Sequence, residues 1–374
     1  MTKKTTQRLV FIDALKALAS QLIILHHLAF YGPLSDSAAE LIPQTVDWLS
    51  QYARIAVQVF LVVGGFLAAK GLAPMGVPRV GQPLRMIWQR YARLVLPMLA
   101  AMGLAIVCAA LARQWMDHDS IPDAPTLGQF AAHAALLHNI LDVDALSAGV
   151  WYVAIDFQLF SLLVLLFWAG RYFGTYVGVI GATLLAVASL FYFNRDAEWD
   201  IWALYFLGAY GMGAVAYWAT SRHRTTLWLG MMTVVAVAAL VMDFRLRIAV
   251  ALVTALALGI ASASGLMARW PDFKVTAYLA KISYSVFLVH FPICLVVNGA
   301  FMHWAPESPW IGLVGMVVAW GSSVAVGALF YGLVESRIGA VLALVDRVSA
   351  TVAGWFSVGD ANRDDAEVGT VRES

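Results

Sequence analysis

Charge is what this chain has least of. Only 13% of its 374 residues are Asp, Glu, Lys or Arg, while 61% are hydrophobic. An average soluble domain carries roughly 25% charged and about 45–50% apolar residues. That composition cannot cover a soluble surface, which excludes a cytosolic globular enzyme. Cysteine is nearly absent too. Cys108 and Cys294 both fall inside apolar runs, where a thiol is expected to pack as a small hydrophobe. Neither a disulfide framework nor a cysteine metal site is expected. A net charge of +1 gives no sign of a nucleic-acid partner. No internal repeat is apparent, which counts against an inverted-repeat transporter. Nor is a cleavable leader expected. Residues 2–8 are basic, but the run behind them holds Asp13, Lys16, His26 and His27 and lacks a small-residue cleavage site.

Long apolar runs dominate what is there. Ten lie near residues 9–30, 53–72, 92–112, 150–170, 175–193, 201–219, 226–242, 246–266, 278–298 and 311–334. Each is long enough to cross a hydrocarbon core of about 30 Å. The expected fold is therefore all-α, a polytopic membrane protein of about ten transmembrane helices. The longer connections are 31–52, the basic loop 73–91, and 113–149, in which 129–140 reads as a short interfacial helix. Beyond the membrane part, 1–337, the segment 338–374 is expected to hold an amphipathic surface helix over 338–356 and a polar, disordered tail. With the N-terminus inside, the inner segments collect most Lys and Arg. The outer loops collect acids such as Asp36, Asp117, Asp119, Asp123, Asp142 and Asp144, with Arg113, Arg195, Arg245 and Arg247 as exceptions. The bias places both termini in the cytoplasm.

Ionisable residues inside a span cost several kcal/mol on some scales and are functional candidates by default. Lys16 and His27 are eleven residues apart. That is three turns plus about 20°, so both lie on one helical face, roughly 16 Å apart along the axis, with Ser20 near the same line. His26 falls about 80° away and is expected to face a neighbour or the interface. Two readings of the first helix stay open. One is a functional pair; the other is an interfacial His bonded to a loop with Lys16 snorkelling inward. Depth arithmetic places His27 within about one turn of the outer end, Asp156 about 9 Å below the outer surface and His290 roughly 12 Å below its outer end. The three are either a cluster in the outer half or three separate buried hydrogen bonds. A His with a nearby carboxylate suits a general base. Arg85, Arg90 and Arg93 stand at the inner end of the third span, either as a topology signal or as a site for phosphates. Gly64 and Gly65 permit close helix approach or entry of a thin ligand chain.

These segments, in order, resemble the membrane-bound acyltransferase 3 family, bacterial proteins that O-acylate cell-surface or periplasmic glycans. The matching pieces are Phe11-Ile12-Asp13-Ala14-Leu15-Lys16-Ala17 running on to His27, and Val59-Phe60-Leu61-Val62-Val63-Gly64-Gly65-Phe66-Leu67. They continue with Arg85 to Pro97, Trp151-Tyr152-Val153-Ala154-Ile155-Asp156-Phe157-Gln158-Leu159-Phe160, and Ile282-Ser283-Tyr284-Ser285-Val286-Phe287-Leu288-Val289-His290-Phe291-Pro292-Ile293. Tyr331 to Glu335 closes the series. The family usually has Arg at Lys16, Glu at Asp156 and often Ser at Gly64. The resemblance implies a multi-pass protein of the bacterial inner membrane with acyl-CoA, acetyl-CoA first, as cytoplasmic co-substrate and no metal. It also implies a glycan or lipid-linked carbohydrate acceptor outside. His27 would be general base or transient acyl carrier, Asp156 would orient a partner, and Lys16 would stabilise charge along the acyl path. His290 would complete the catalytic set, and Arg85, Arg90 and Arg93 would hold the CoA phosphates. The competing functions are a transporter or flippase for a glycan or lipid-linked intermediate, and a structural membrane subunit.

Overall fold

A computed structural model of the chain describes residues 8–221 and 224–343, and these form helices and no strand. In chain order the α-helices are α1 (Val10–Phe30), α2 (Pro33–Ala39), α3 (Pro43–Tyr52), α4 (Val57–Leu72), α5 (Pro83–Trp115), α6 (Leu127–Ala134) and α7 (Val150–Gly170). They continue as α8 (Val177–Phe191), α9 (Ala203–Thr220), α10 (Thr225–Met242), α11 (Leu246–Ala263), α12 (Leu266–Arg269), α13 (Lys274–Trp304) and α14 (Pro309–Phe330). A π-turn, Tyr331–Glu335, follows α14, and residues 336–343 return to α-helix. The interfacial helix expected at 129–140 is shorter and earlier, α6, opened by a capping box between Thr126 and Gln129. Of the amphipathic helix expected over 338–356, residues 338–343 are helical; the rest of it and the tail lie outside the described residues.

Nine segments among the described residues are long and apolar enough to cross a membrane. The run expected at 201–219 is missing from them, yet it forms the 18-residue helix α9. Tyr205, Tyr210, Tyr217, Trp218 and three glycines dilute its apolar character, because protein rather than lipid surrounds it. It still traverses the bundle. Asn194 donates to the Tyr205 carbonyl at one end (2.9 Å), and the Trp218 indole donates to the Ala73 carbonyl at the other (2.9 Å).

The ten long helices alternate in direction. At the first face, where the described chain begins, Arg8 before α1 reaches Asp272 before α13 at 3.0 Å, and Arg171 after α7 reaches the Val80 carbonyl before α5 at 3.4 Å. At the second face, Arg195 between α8 and α9 pairs with Asp243 between α10 and α11 at 2.9 Å. Two glycine contacts set the core. A Cβ on Gly65 of α4 would stand 1.8 Å from the Tyr210 carbonyl oxygen, and one on Gly213 of α9 would stand 1.9 Å from that of Val62. Only glycine lets these backbones meet. Close helix approach is thus what Gly65 provides.

Candidate functional site

The site begins where α1, α7 and α13 converge. His27 Nδ1 lies 2.6 Å from His290 Nε2, with the two rings stacked at 4.8 Å between centroids. His290 Nδ1 donates to the Phe287 carbonyl one turn back on α13 at 2.7 Å. Its Nε2 is therefore an acceptor, and the hydrogen of the pair sits on His27 Nδ1. That leaves His27 Nε2 with its lone pair, which is what a general base needs. His26 instead turns to the Leu49 carbonyl of α3 at 3.0 Å, as its helical angle predicts. Around the pair, Tyr31 stacks on His27 (5.7 Å) and meets Phe291 edge-on (5.1 Å), while a Cβ on Gly149 would come 3.9 Å from His27 Cε1.

The depth of this pair differs from expectation. His290 stands fourteen residues before the end of α13, roughly 21 Å rather than 12 Å. The helix runs on past the expected edge at Asn298 to Trp304, whereas α1 stops three residues after His27. The histidines therefore meet near mid-bundle.

Asp156 does not join them. It lies seven residues along α7 from Gly149, about 10 Å nearer the first face. There its carboxylate pairs with Arg90 of α5. The Arg90 guanidinium also sits 5.3 Å over the Phe160 ring, and its Nε is buried without a partner. Tyr152, Tyr210 and Tyr284 are the electrostatic neighbours of Asp156. Phe287 meets Tyr152 edge-on at 5.9 Å and Tyr284 face-on at 6.5 Å, so an aromatic layer separates this ion pair from the histidines. The expected trio in the outer half is thus corrected to a His pair and, below it, an Arg–Asp pair. The expected arginine cluster divides in the same way. Arg90 turns inward, while Arg85, near the start of α5 at the first face, and Arg93, one turn beyond Arg90, remain exposed.

Lys16 lies deeper again, with Asp13 and Glu335 as its charged neighbours. Glu335 accepts a hydrogen bond of 2.5 Å from Ser285 of α13. It sits at the end of the π-turn, an irregularity that often marks a functional position. Ser20, on the same line, is spent on the Ala17 carbonyl at 2.9 Å. Glu335 and the three tyrosines were not among the expected site residues. The closing motif Tyr331 to Glu335 was the available signal for the first; for Tyr210, on a different helix from every motif, there was none.

At the second face the loop 116–149 folds over the bundle. His133 and His138, both fully buried, stack in parallel at 4.2 Å. His133 Nδ1 donates to the Gln129 carbonyl (2.8 Å) and Nε2 accepts from the Leu146 N–H (3.3 Å). Both nitrogens of His138 lack a partner, and burial beside His133 pushes its pKa down to about 4.

A family model described as an acyltransferase domain matches residues 9–331 of this chain. No curated protein and no solved structure matches it.

Proposed function

The chain belongs to the acyltransferase 3 family and is a multi-pass membrane acyltransferase; we propose that it carries an acyl group from cytoplasmic acyl-CoA to a hydroxyl of a cell-surface or periplasmic glycan in the bacterial inner membrane. The first face is then cytoplasmic, in keeping with the Lys/Arg bias. The observation that supports the reading best is the tautomer chain from the Phe287 carbonyl through His290 to His27.

In this reading His27 Nε2 takes the proton of the acceptor hydroxyl as its oxygen attacks the acyl carbon. The carbon–sulfur bond to CoA then breaks, and the proton returns to the leaving sulfur, giving CoA as a thiol. His290 holds His27 in the working tautomer and stabilises the imidazolium that forms. Arg85 and Arg93 hold phosphates of the donor as it enters from the cytoplasmic face, where planar guanidinium groups suit them. Arg90 keeps the Asp156 carboxylate compensated and has Nε left to donate. Lys16, between Asp13 and Glu335, supplies positive charge along the acyl path.

The test is binding and transfer by the purified protein. Acetyl-CoA should bind saturably, and radiolabelled acetyl groups should pass to glycans extracted from the parent strain. A flippase would move the glycan without binding acetyl-CoA. Absence of binding, with the protein shown to be folded, would overturn the proposal.

A further inference from the structure

Above the histidine pair, on the second face, lies an open cavity of about 990 Å³. That is at the upper end of the roughly 300–1,000 Å³ typical of small-molecule sites. It is bounded by the end of α5 and by the loop on either side of α6, and its walls include Asp117, Asp119, Asp123, Asp144, Arg113 and Trp115. Its floor includes Met116 and Ile121. These two pack against the buried cluster of Ala109, Ala112, Phe291 and Leu295, against which Tyr31 also packs, and Tyr31 stacks on His27. The cavity and the base thus flank one apolar cluster.

The charges of this cavity are one-sided. Its lining sets four aspartates against one cation, Arg113, which keeps its charge while bonded to the Pro122 carbonyl; His118 Nδ1 accepts from the Ser120 N–H at 3.1 Å. Asp117, Asp119, Asp123 and Asp144 have no hydrogen bond or ion pair among the described residues, and all four are exposed to the cavity. They are not gathered about one point as metal ligands would be; no group of three or more suitable side chains among the described residues could hold a metal ion. Carboxylates spread around a wall with an indole are instead acceptors for hydroxyl and amino hydrogens, with a flat apolar face for a sugar ring. The same carboxylates repel an anion.

We propose that this cavity is the acceptor subsite, and that its four unpaired aspartates restrict the acceptor to a saccharide without negative charge, either neutral or amino-bearing. This rests on the glycan-acyltransferase reading above and adds the class of glycan. Uronic acid and phosphorylated sugars are excluded by charge; hydroxyl-rich and amino sugars are held by the aspartates across the apolar cluster from His27.

The experiment uses the full chain in detergent and three soluble probes of equal length: tetra-N-acetylchitotetraose, its de-N-acetylated amine form, and tetragalacturonate. Binding is read by saturation-transfer NMR and titration, with acetyl-CoA binding measured on the same sample. The neutral and amine probes should bind, with the anion at least about tenfold weaker at low ionic strength. The gap should narrow in roughly 0.5 M salt and close in the Asp117→Asn, Asp119→Asn, Asp123→Asn, Asp144→Asn variant, whose acetyl-CoA binding stays as in the wild type. Equal binding of the anion, or saturable binding of none of the three while acetyl-CoA still binds, overturns the subsite and leaves the donor half standing. Loss of acetyl-CoA binding in the wild type would take down both readings.

Discussion

His27 and His26 are chemically identical neighbours, and their surroundings give them different work. His26 is fixed to the α3 backbone, whereas His27 is pinned through Nδ1 and left basic at Nε2. His27→Ala should therefore abolish acyl transfer, since removing a general base typically costs 10²–10⁴-fold in rate. His26→Ala should retain much of it, and Lys16→Arg should keep activity that Lys16→Ala loses. Initial rates on protein matched for expression and detergent extraction check this; a dead His26→Ala beside a working His27→Ala would reverse the assignment. The helical-face arithmetic that separates the two histidines was legible in the sequence, because both stand on one regular helix. The partner of Asp156 was not. Arg90 is sixty-six residues away on another helix, and the charge of each carries no record of the other.

Two contacts between helices make different demands on the elements that form them. Where α4 crosses α9, a methyl on Gly65 would overlap the Tyr210 carbonyl, while nothing lies within 4 Å of a Cβ on Gly71. Gly65→Ala should force the helices apart, and overpacking of that kind typically costs about 1–3 kcal/mol; Gly71→Ala should be silent. Thermal unfolding in detergent separates them, and equal melting of both variants would deny the close approach. The glycine pair announced a close approach in the sequence, but nothing there said which helix it meets, since Tyr210 is 145 positions along the chain on a helix of its own. On α5, the three arginines should part company. Neutralising Arg85 and Arg93 together should weaken acyl-CoA binding, at about 1.5–3 kcal/mol for each charge-assisted contact, with the protein still accumulating. Arg90→Ala should reduce accumulation itself, because an uncompensated buried carboxylate costs about 3–5 kcal/mol. Titration with acetyl-CoA and quantified yields distinguish the two; three arginines with one phenotype would restore a single cluster.

At the scale of the molecule, polar groups form a column from the first face to the second. It passes from Arg8 with Asp13 and Asp272 to Lys16 near Glu335, then to Arg90 with Asp156, and then to the histidines beneath the outer loop. Apolar runs anticipated all ten long helices among the described residues, nine of them apolar enough to cross a membrane, because lipid demands long apolar runs. They could not give the depth of the site, because α13 and α5 extend past the edges that apolar character suggests, and because polar residues in the interior answer to protein neighbours. The loop over the site has its own pH dependence. His138 is neutral in the fold, its pKa lowered from 6.5 to about 4 by burial. A base with a depressed folded pKa gives stability that is fully present above pH 6.5 and is lost as pH falls through about 4. Amide protection across 127–149, corrected for intrinsic exchange, should fall over that window while that of α13 holds, and His138→Phe should reduce the dependence to the part left by His133, whose pKa burial also lowers. Protection that stays level in the wild type would contradict the buried neutral ring.

Sidedness is where fold, charge and chemistry meet, and it can be measured in membrane vesicles sealed in either orientation. Labelled acetyl-CoA is supplied from outside, with acceptor glycan enclosed within. Vesicles that expose the N-terminal face should acetylate the enclosed glycan in the wild type, and His27→Ala vesicles should not, although both bind acetyl-CoA equally. Vesicles of the opposite orientation should be inactive. Transfer from the face opposite the N-terminus, or full transfer by His27→Ala, would contradict the account.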